Sequence, residues 1–273
     1  KNIVKPSCLV CQNWNELLNL DFLDGVIIAT PPNTHFLIAK QFIKKGIPTL
    51  IEKPLTMSLK EAQDLLDLVN KDINQSIVFV DHIYLYDDYF MQLKKRAKNA
   101  GKIHKINSIG GSNGPVRKDV RALWDWAPHD LAMCLDIVGK FPISINAELI
   151  REEKLNIGSK ELIKIELIFP EKIHANLLVG NYMKKKSRLF EVEFKNSRLV
   201  YEPLSDCTFK EYSKINKELY CQKNNLSNDQ LPLDNLLRQF ADAILNSKRN
   251  TASLKLGTDV VKIIENIEEK LDP

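Results

Sequence analysis

The chain has 273 residues and a formal net charge of +4, from 39 basic and 35 acidic side chains. Hydrophobic residues make up 44% of the sequence and charged residues 27%, a globular balance that excludes a disordered or collagen-like chain. The length favours two domains, and the small, evenly spread charge gives no reason to expect a nucleic-acid partner.

The first part of the chain alternates between short apolar runs and amphipathic segments. The alternation predicts strand, helix, strand, helix, strand with short connections, which is a βαβαβ unit and therefore a parallel sheet with right-handed crossovers. The predicted strands are 25–30, 49–52 and 76–81, and the predicted helices are 35–45 and about 58–71. A further helix is predicted at about 87–99, where Gly101 follows it.

After residue 100 the pattern changes to apolar and polar residues in alternation. This predicts a mainly antiparallel sheet, so we place a domain boundary near residue 100. The predicted strands are 103–109, 143–150, 161–169, 173–180, 189–194 and 198–201, and the predicted helices are 124–139, about 233–246 and about 256–270. The basic run Lys184–Lys186 is predicted to be a solvated hairpin tip, with contact to a phosphorylated substrate as the alternative.

Other sequence features concern the location of the protein. No apolar run approaches the roughly 20 residues that cross a bilayer, so no membrane partner is expected. Five cysteines without regular spacing fit a reducing compartment better than a disulfide framework, and we expect the cytoplasm. The chain begins at Lys1, without an initiator Met and without a signal-peptide pattern.

The three predicted parallel strands all end in chemically unusual segments. These are Thr30 to His35, then Glu52-Lys53-Pro54, then Asp81-His82. Ligands of open parallel sheets bind beyond the carboxyl ends of the strands, and parallel strands place all three segments on one rim. Each segment alone has an ordinary structural explanation, such as a helix cap or a solvated lysine; their coincidence on one rim favours a binding site.

Lys53 is the most informative residue of that rim. The proline that follows it restricts its backbone to the β or polyproline region, which limits where the side chain can aim. A cation with a controlled direction can donate a hydrogen bond to a substrate hydroxyl and stabilise developing negative charge on oxygen. Glu52 beside it is either a salt-bridge partner or a contact for a sugar hydroxyl.

A second cluster is the octapeptide Leu123 to Asp130, which contains Asp125 and His129. Four residues apart, they share one face of a helix, and a carboxylate beside an imidazole is typical of an orienting group and a general base. An equally weighted alternative is a buried histidine with a structural role only, whose ring is hydrogen-bonded by its neighbour. A metal site is less favoured, because no third and fourth ligand stands at a recognisable spacing, and no metal is expected.

Together these motifs resemble a known family. The strand end Ala-Thr-Pro-Pro-Asn-Thr-His at 29–35, the Glu-Lys-Pro at 52–54 and the Asp-Trp-Ala-Pro-His-Asp at 125–130 are similar to the Gfo/Idh/MocA family of NAD(P)-dependent oxidoreductases. The stretch 54–62 and the closing segment 257–271 also fit, so the resemblance covers essentially the whole chain. The pair of motifs is specific, whereas either motif alone would be weak.

The resemblance implies roles for particular residues. It places Lys53 beside the nicotinamide and the reacting hydroxyl, makes His129 the acid-base residue, and makes Asp125 a partner that contacts substrate. It implies a cofactor-lining rim, with NAD or NADP as cofactor and a sugar, cyclitol or nucleotide sugar as substrate. The implied rim residues are Ala29, Thr30, Pro31, Asn33, His35, Glu52 and Lys53.

The chain departs from the family pattern at its start. Family members open with a strand, a Gly-rich phosphate loop and a helix, and the loop at Gly110–Gly114 is no substitute, because Pro115 follows it instead of a helix start. The fold expected is α/β: a partial Rossmann-like parallel sheet over 1–100, lacking the first βαβ unit, then an α+β domain over 101–273 with a mainly antiparallel sheet. We expect a partial sequence or truncated product that binds a dinucleotide weakly.

Two other interpretations stay open at this point. One is a non-catalytic regulator that senses a dinucleotide on the same fold, although such a protein has no need of an acid-base pair. The other is an inactive, truncated fragment. We expect a homo-oligomer, a dimer or tetramer, that forms through the open face of the C-terminal sheet.

Overall fold

The computed structural model describes residues 8–71, 76–215, 217, 219–223 and 231–271. Within them the chain forms one sheet of three parallel strands and one sheet of eight strands, of which only one neighbouring pair is parallel. This confirms the predicted α/β class with a small parallel sheet and a mainly antiparallel second sheet. No helix of the described residues has both the length and the apolar composition that a membrane crossing requires.

The parallel sheet has the strand order β1-β2-β3 and helices on both faces. Its elements are β1 (Val26–Ile28), α1 (His35–Lys44), β2 (Thr49–Ile51), α2 (Leu59–Lys71), β3 (Val78–Val80) and α3 (Asp88–Ala97). Side chains alternate between its faces, so Ile51 and Val80 join the core beneath α1 and α2 while Leu50 and Phe79 face the opposite side. Burial on both faces explains the continuous apolar runs in these strands.

The large sheet has the order β11-β10-β9-β8-β4-β7-β6-β5. Its elements are β4 (Ile103–Asn113), α4 (Ala122–Val138), β5 (Ser144–Leu155), β6 (Gly158–Phe169), β7 (Ile173–Gly180), β8 (Tyr182–Phe194), β9 (Ser197–Tyr201), β10 (Cys207–Ser213) and β11 (Leu219–Lys223). Beyond the buried Glu161, the inner face is apolar along β6 and β7, where Ile163, Ile165 and Leu177 are buried, and α4 packs on it. This packing fixes α4, and with it the predicted catalytic segment, against a rigid sheet.

The structure corrects three details of the strand prediction. The strand β10 and the edge strand β11 were not predicted, because they are short and lack a sustained apolar alternation. The hairpin of β5 and β6 extends beyond the predicted strand ends to a tight turn between Leu155 and Gly158. The prediction stopped short because this charged end is exposed and lacks the apolar alternation. The segment Lys184–Lys186 is not a hairpin tip: it lies inside β8, in an irregular stretch of the pairing with β4.

The last two helices return to the parallel sheet. The helix α5 (Pro232–Leu245) packs Leu236 and Phe240 against Leu50 and Phe79. The helix α6 (Ala252–Leu271) contacts β3 and α2 as well as α4 and β5, so it touches both sheets. The boundary near residue 100 therefore stays a prediction, and the C-terminal helices stabilise both parts.

A disulfide joins Cys207 of β10 to Cys221 of β11, 14 residues apart in sequence. The cysteine count did not predict it, because the pairing depends on two strands that the sequence pattern did not reveal. Cys8, Cys11 and Cys134 are free thiols. The cytoplasmic location stays a prediction.

Because a crosslink of this loop length restricts the unfolded chain, replacing both Cys207 and Cys221 by serine should lower the free energy of unfolding by up to about 3 kcal/mol. Urea denaturation with and without a reductant measures the effect, and the free thiol variant Cys11→Ser is the control. Equal stability of the oxidised and reduced wild-type protein would show that the bridge does not form in solution.

Candidate functional site

The carboxyl ends of the three parallel strands lie side by side. Ile28 pairs with Ile51, which pairs with Val80, so the strands end in register. The backbone nitrogens of Glu52 and Asp81 continue the ladder, at 2.9 Å from the Ile28 oxygen and 2.8 Å from the Ile51 oxygen. The structure therefore brings the three predicted strand ends to a single rim.

The segment after β1 forms an open part of that rim. The hydroxyl oxygens of Thr30 and Thr34 lie 2.7 Å apart, and the Thr34 hydroxyl donates to the Pro31 carbonyl at 2.7 Å. These bonds close a short turn that leaves Ala29, Thr30, Pro31 and Asn33 exposed. The exposed backbone and side chains of this turn are accessible to a ligand.

His35, in contrast, is fully buried beneath the rim. Its Nδ1 lies 2.9 Å from the carbonyl oxygen of Pro54, and its Nε2 lies 2.8 Å from that of Thr30. Both ring nitrogens are occupied by backbone oxygens, so the ring joins the ends of β1 and β2 and has no nitrogen left for a ligand. Its part in a cofactor site is to hold the rim together.

Lys53 and Asp125 meet directly, although 72 residues separate them. Lys53 Nζ donates to the backbone oxygen of Asp125 at 2.8 Å and to its Oδ1 at 2.9 Å. Arg117 Nη1 contacts the same Oδ1 at 3.3 Å. The Lys53 side chain is only 17% exposed. The two hydrogen bonds to Asp125 fix the Lys53 ammonium group at the first turn of α4, so Asp125 determines the position of the Lys53 side chain.

This contact corrects the predicted pairing of Asp125 with His129. The two residues do lie one turn apart on α4, but the Asp125 carboxylate is bonded to two cations. An ammonium and a guanidinium attract a carboxylate more strongly than a neutral imidazole does. Asp125 is therefore not the orienting group of His129.

His129 lies deeper in the site, with its ring edge-to-face against Tyr84 at a centroid distance of 5.0 Å. Burial is the main cause that lowers the pKa of His129 well below 6.5, and the positive charges of Lys53 and Arg188 add to it. The ring is therefore neutral at physiological pH and can accept a proton. Its Nδ1 is buried and has no hydrogen-bond partner among the described residues.

A buried ion pair supports the wall behind His129, and the sequence did not reveal it. Arg188 Nη1 donates to Asp130 Oδ2 at 2.7 Å, and the two side chains are 4% and 0% exposed. The guanidinium carbon lies 4.5 Å from the ring centroid of Tyr84. Gly110 leaves room for the pair, since a Cβ there would lie 2.4 Å from Asp130 Oδ2.

The end of β3 adds a buried carboxyl group and a second imidazole. Burial raises the pKa of Asp81 to about 7, and the nearby Glu52 carboxylate contributes. Burial also lowers the pKa of His82 to about 4, again with a contribution from Lys53. Among the described residues, no group of three or more His, Cys, Asp and Glu side chains could hold a metal ion.

The buried imidazole of His82 makes stability depend on pH. Its folded pKa of about 4 lies below the 6.5 of an unperturbed histidine, so the stabilisation is complete above pH 6.5 and is lost as the pH falls to about 4. Between pH 6.5 and about 4, the free energy of unfolding of His82→Gln should therefore fall by about 3 kcal/mol less than that of the wild type. Urea denaturation at a series of pH values measures the difference.

His174→Gln, which removes an exposed imidazole from β7, is the matched control for that series. It should retain the acid sensitivity of the wild type. Parallel curves for the wild type and His82→Gln would mean that His82 is not held neutral by the fold.

Residues 4–82 match the model of an oxidoreductase family with an NAD-binding Rossmann fold, named for Gfo, Idh and MocA. The predicted resemblance is thereby confirmed. The match includes all three parallel strands and the rim that they form.

Individual relatives extend the comparison beyond residue 82. The chain is 26% identical over 125 residues to the UDP-N-acetylglucosamine 3-dehydrogenase of Acidithiobacillus ferrooxidans, covering 46% of this chain and 39% of that protein. It is 22% identical over 207 residues to the scyllo-inositol 2-dehydrogenase (NADP(+)) IolW of Bacillus subtilis, covering 71% and 56%. The matched region thus spans less than two thirds of the length of these relatives.

A solved structure agrees with the whole fold. A crystal structure of a protein described as an oxidoreductase, from Magnetospirillum magnetotacticum MS-1, superimposes with a TM-score of 0.86 at 27% identity. The superposition covers 97% of this chain and 86% of the other. Both sheets therefore belong to a fold that the two proteins share.

Proposed function

We propose that this chain, whose residues 4–82 match the Gfo/Idh/MocA family model, belongs to that oxidoreductase family and contains the reaction centre of an NAD- or NADP-dependent dehydrogenase or reductase. The substrate is a sugar, cyclitol or nucleotide sugar that reacts at a hydroxyl or keto carbon. The observation that supports this most is the convergence of Lys53, fixed by Asp125, with the neutral imidazole of His129. A protein that only senses a dinucleotide would not need these acid-base groups.

The rim fits a nicotinamide dinucleotide. It lies beyond the carboxyl ends of parallel strands, where open α/β sheets bind such ligands, and its turn at Thr30 to Thr34 is exposed. Ala29, Thr30, Pro31 and Asn33 would contact the cofactor, with Glu52 and Lys53 at the next strand end. Bound there, the nicotinamide ring would accept or supply a hydride. In this proposal residues 1–100 hold the dinucleotide, while residues 101–273 supply α4 and the substrate side.

The chain's own residues would move the proton and stabilise charge. In the oxidative direction, neutral His129 accepts the proton of the substrate hydroxyl through its Nε2 nitrogen. Lys53 Nζ, held by two oxygens of Asp125, donates a hydrogen bond to the same substrate oxygen and stabilises its negative charge as the proton leaves. The same groups act in reverse when a ketone is reduced.

The names of the relatives direct the search for the substrate. One is a dehydrogenase of a UDP-linked amino sugar and another is a dehydrogenase of scyllo-inositol, so the reacting group is a ring hydroxyl in both. We therefore expect this protein to act on a ring hydroxyl of a polyhydroxylated compound.

A substrate panel tests the proposed function. The protein is incubated with NAD⁺ or NADP⁺ and with inositols, aldoses and UDP-linked sugars, and the absorbance of reduced nicotinamide is followed. We expect at least one compound to be oxidised, and the turnover to depend on Lys53 and His129. Failure of every compound with both cofactors, in either reaction direction, would argue against a dehydrogenase.

A homo-oligomer is the proposed assembly. The helices α3, α4 and α6 pack against the inner face of the large sheet. On the outer face Ile109, Leu178 and Leu189 form a row across β7, β4 and β8, which a second copy could cover. Sedimentation equilibrium should detect a dimer or tetramer in the wild type and a smaller species in Leu178→Asp, whereas a wild-type monomer would contradict the assembly.

A further inference from the structure

Asp81 and His82 at the end of β3 have no role in the reaction as described so far. Both side chains are buried, with exposed fractions of 8% and 2%. Asp81 Oδ1 and both ring nitrogens of His82 have no hydrogen-bond partner among the described residues. A buried polar atom without a partner destabilises the fold, so three such atoms at a strand end call for an explanation.

The same deficit occurs at His129, whose Nδ1 nitrogen is buried and without a partner among the described residues. The backbone places these side chains around Lys53, since the Asp81 nitrogen donates to the Ile51 carbonyl at 2.8 Å, two residues before Lys53. Lys53 Nζ in turn reaches Asp125, one helical turn before His129, and the ring of Tyr84, two residues after His82, packs on His129. The charges of Lys53 and His82 both lower the pKa of His129. The atoms without partners therefore belong to one cluster around Lys53, at the proposed reaction centre.

We propose that His82 and Asp81 form, with His129, a water-bridged proton relay between the reaction centre and the carboxyl pair Asp81 and Glu52. The relay rests on the proposed function, and His82 and Asp81 act in it through His129, as positioning residues. A buried water has two to four hydrogen-bonding partners, and bridging waters connect polar groups that are too far apart for a direct bond.

The relay has a simple proton balance. When the substrate is oxidised, its hydride leaves with the nicotinamide and its hydroxyl proton goes to Nε2 of His129. Nδ1 of His129 then releases a proton to the bridging water, which passes one to His82. His82 releases one through a second bridging water to Oδ1 of the Asp81 carboxylate, because the two side chains share no direct hydrogen bond. One proton enters the chain of groups and one arrives at Asp81, while both imidazoles return to the neutral form.

The surrounding charges suit this direction of transfer. Burial disfavours a cationic imidazole at both histidines, and Lys53 adds to this effect at both, so neither retains the proton. Arg188 from β8 has the same effect on His129. Glu52 disfavours the loss of a proton from Asp81, whose pKa of about 7 lets it accept and release one at physiological pH. Tyr84, which packs on His129, completes the groups that face the two imidazoles.

A titration of the protein itself tests the relay without any need for activity. In protein labelled with ¹⁵N-histidine, the ring nitrogens of His82 and His129 are followed by NMR as the pH changes. Both rings should stay neutral, yet both should show a change in chemical shift near pH 7 as Asp81 takes up its proton. Asp81→Asn should remove this step from both rings, and the exposed control Asp242→Asn should keep it.

His82→Gln separates a relay from simple proximity. If His82 connects the two groups, His129 should lose its step near pH 7 in this variant, although Asp81 still titrates. A step that persists at His129 in His82→Gln, or is missing from both rings in the wild type, would overturn the relay.

Kinetics then separate failure of the relay from failure of the proposed function. In an active protein, His82→Gln should slow oxidation by about tenfold or more, less than the loss of a general base, and added imidazole should restore part of the rate. Unchanged turnover in folded His82→Gln would reject the relay while leaving the dehydrogenase intact. Absence of turnover in the wild type would count against the proposed function alone, because the titration does not depend on it.

Discussion

Replacing Lys53 by alanine should lower turnover by about 100-fold or more, which is the usual loss when one electrostatic contact to a developing oxyanion is removed. The structure gives the reason, because two oxygens of Asp125 hold the ammonium group in one position, at 2.8 and 2.9 Å. Steady-state kinetics with the best substrate of the panel measure the effect. The fold should survive, since the rim is held by His35 and by the strand ladder.

The control for this variant is Lys60→Ala, which removes an exposed ammonium group from α2. Its turnover should equal that of the wild type. A second readout needs no substrate: because Lys53 lowers the pKa of His82 and His129, its removal should raise both in an NMR titration. Wild-type turnover in Lys53→Ala, together with unchanged histidine titrations, would remove Lys53 from the site.

Replacing His129 by alanine should lower turnover by about 100-fold to 10⁴-fold, because it removes the group that accepts the hydroxyl proton. Dinucleotide affinity should change little, since the rim lies on the parallel sheet. A purely structural histidine would give the opposite pattern, a lower melting temperature with normal turnover per folded molecule. Kinetics and a thermal melt on the same preparation distinguish the two.

The pH dependence differs from the one that the sequence indicates. A carboxylate beside His129 would favour its charged form and place its titration near neutrality, but burial and two nearby cations lower its pKa well below 6.5. The ring is thus already neutral near pH 6.5. As the pH falls, turnover should decline only when the pH approaches the lowered pKa of His129, because a protonated imidazole cannot accept the substrate proton. Asp125→Asn should lower turnover by releasing Lys53, and any shift in the pKa of His129 should be upward, because the cation that lowers it is then held less firmly. A downward shift of that pKa would restore the pairing of Asp125 with His129, because a carboxylate partner favours the charged imidazole.

The rim could be predicted from the sequence because its geometry follows from chain direction. Apolar runs that end in Thr30, Glu52 and Asp81 indicate parallel strands, and parallel strands in register must end side by side. The motif around His129 was found for a similar reason, since helical spacing fixes which residues share a face. Both inferences need only local periodicity.

The contacts between the two motifs could not be predicted in this way. Which cation approaches Asp125 depends on how α4 packs against the end of β2, a contact across 72 residues that no local pattern records. The buried pair of Arg188 and Asp130 depends in the same way on the register of β8 with β4. The hairpin of β10 and β11 was missed because β11 has no buried residue and β10 buries only Thr208 and Phe209, a pattern too short to indicate a strand. This also concealed the pairing of Cys207 with Cys221.

The most direct test of the reaction centre follows the hydride itself. A ring-hydroxyl substrate that carries deuterium on the reacting carbon is incubated with the protein and NAD⁺ or NADP⁺, and the reduced dinucleotide is analysed by mass spectrometry. We predict one deuterium atom in the reduced dinucleotide for the wild type, and a rate of transfer at least about 100-fold lower in both Lys53→Ala and His129→Ala. Reduced dinucleotide without deuterium would contradict a reaction centre built from Lys53, Asp125 and His129. Transfer at the wild-type rate by either variant would contradict it as well.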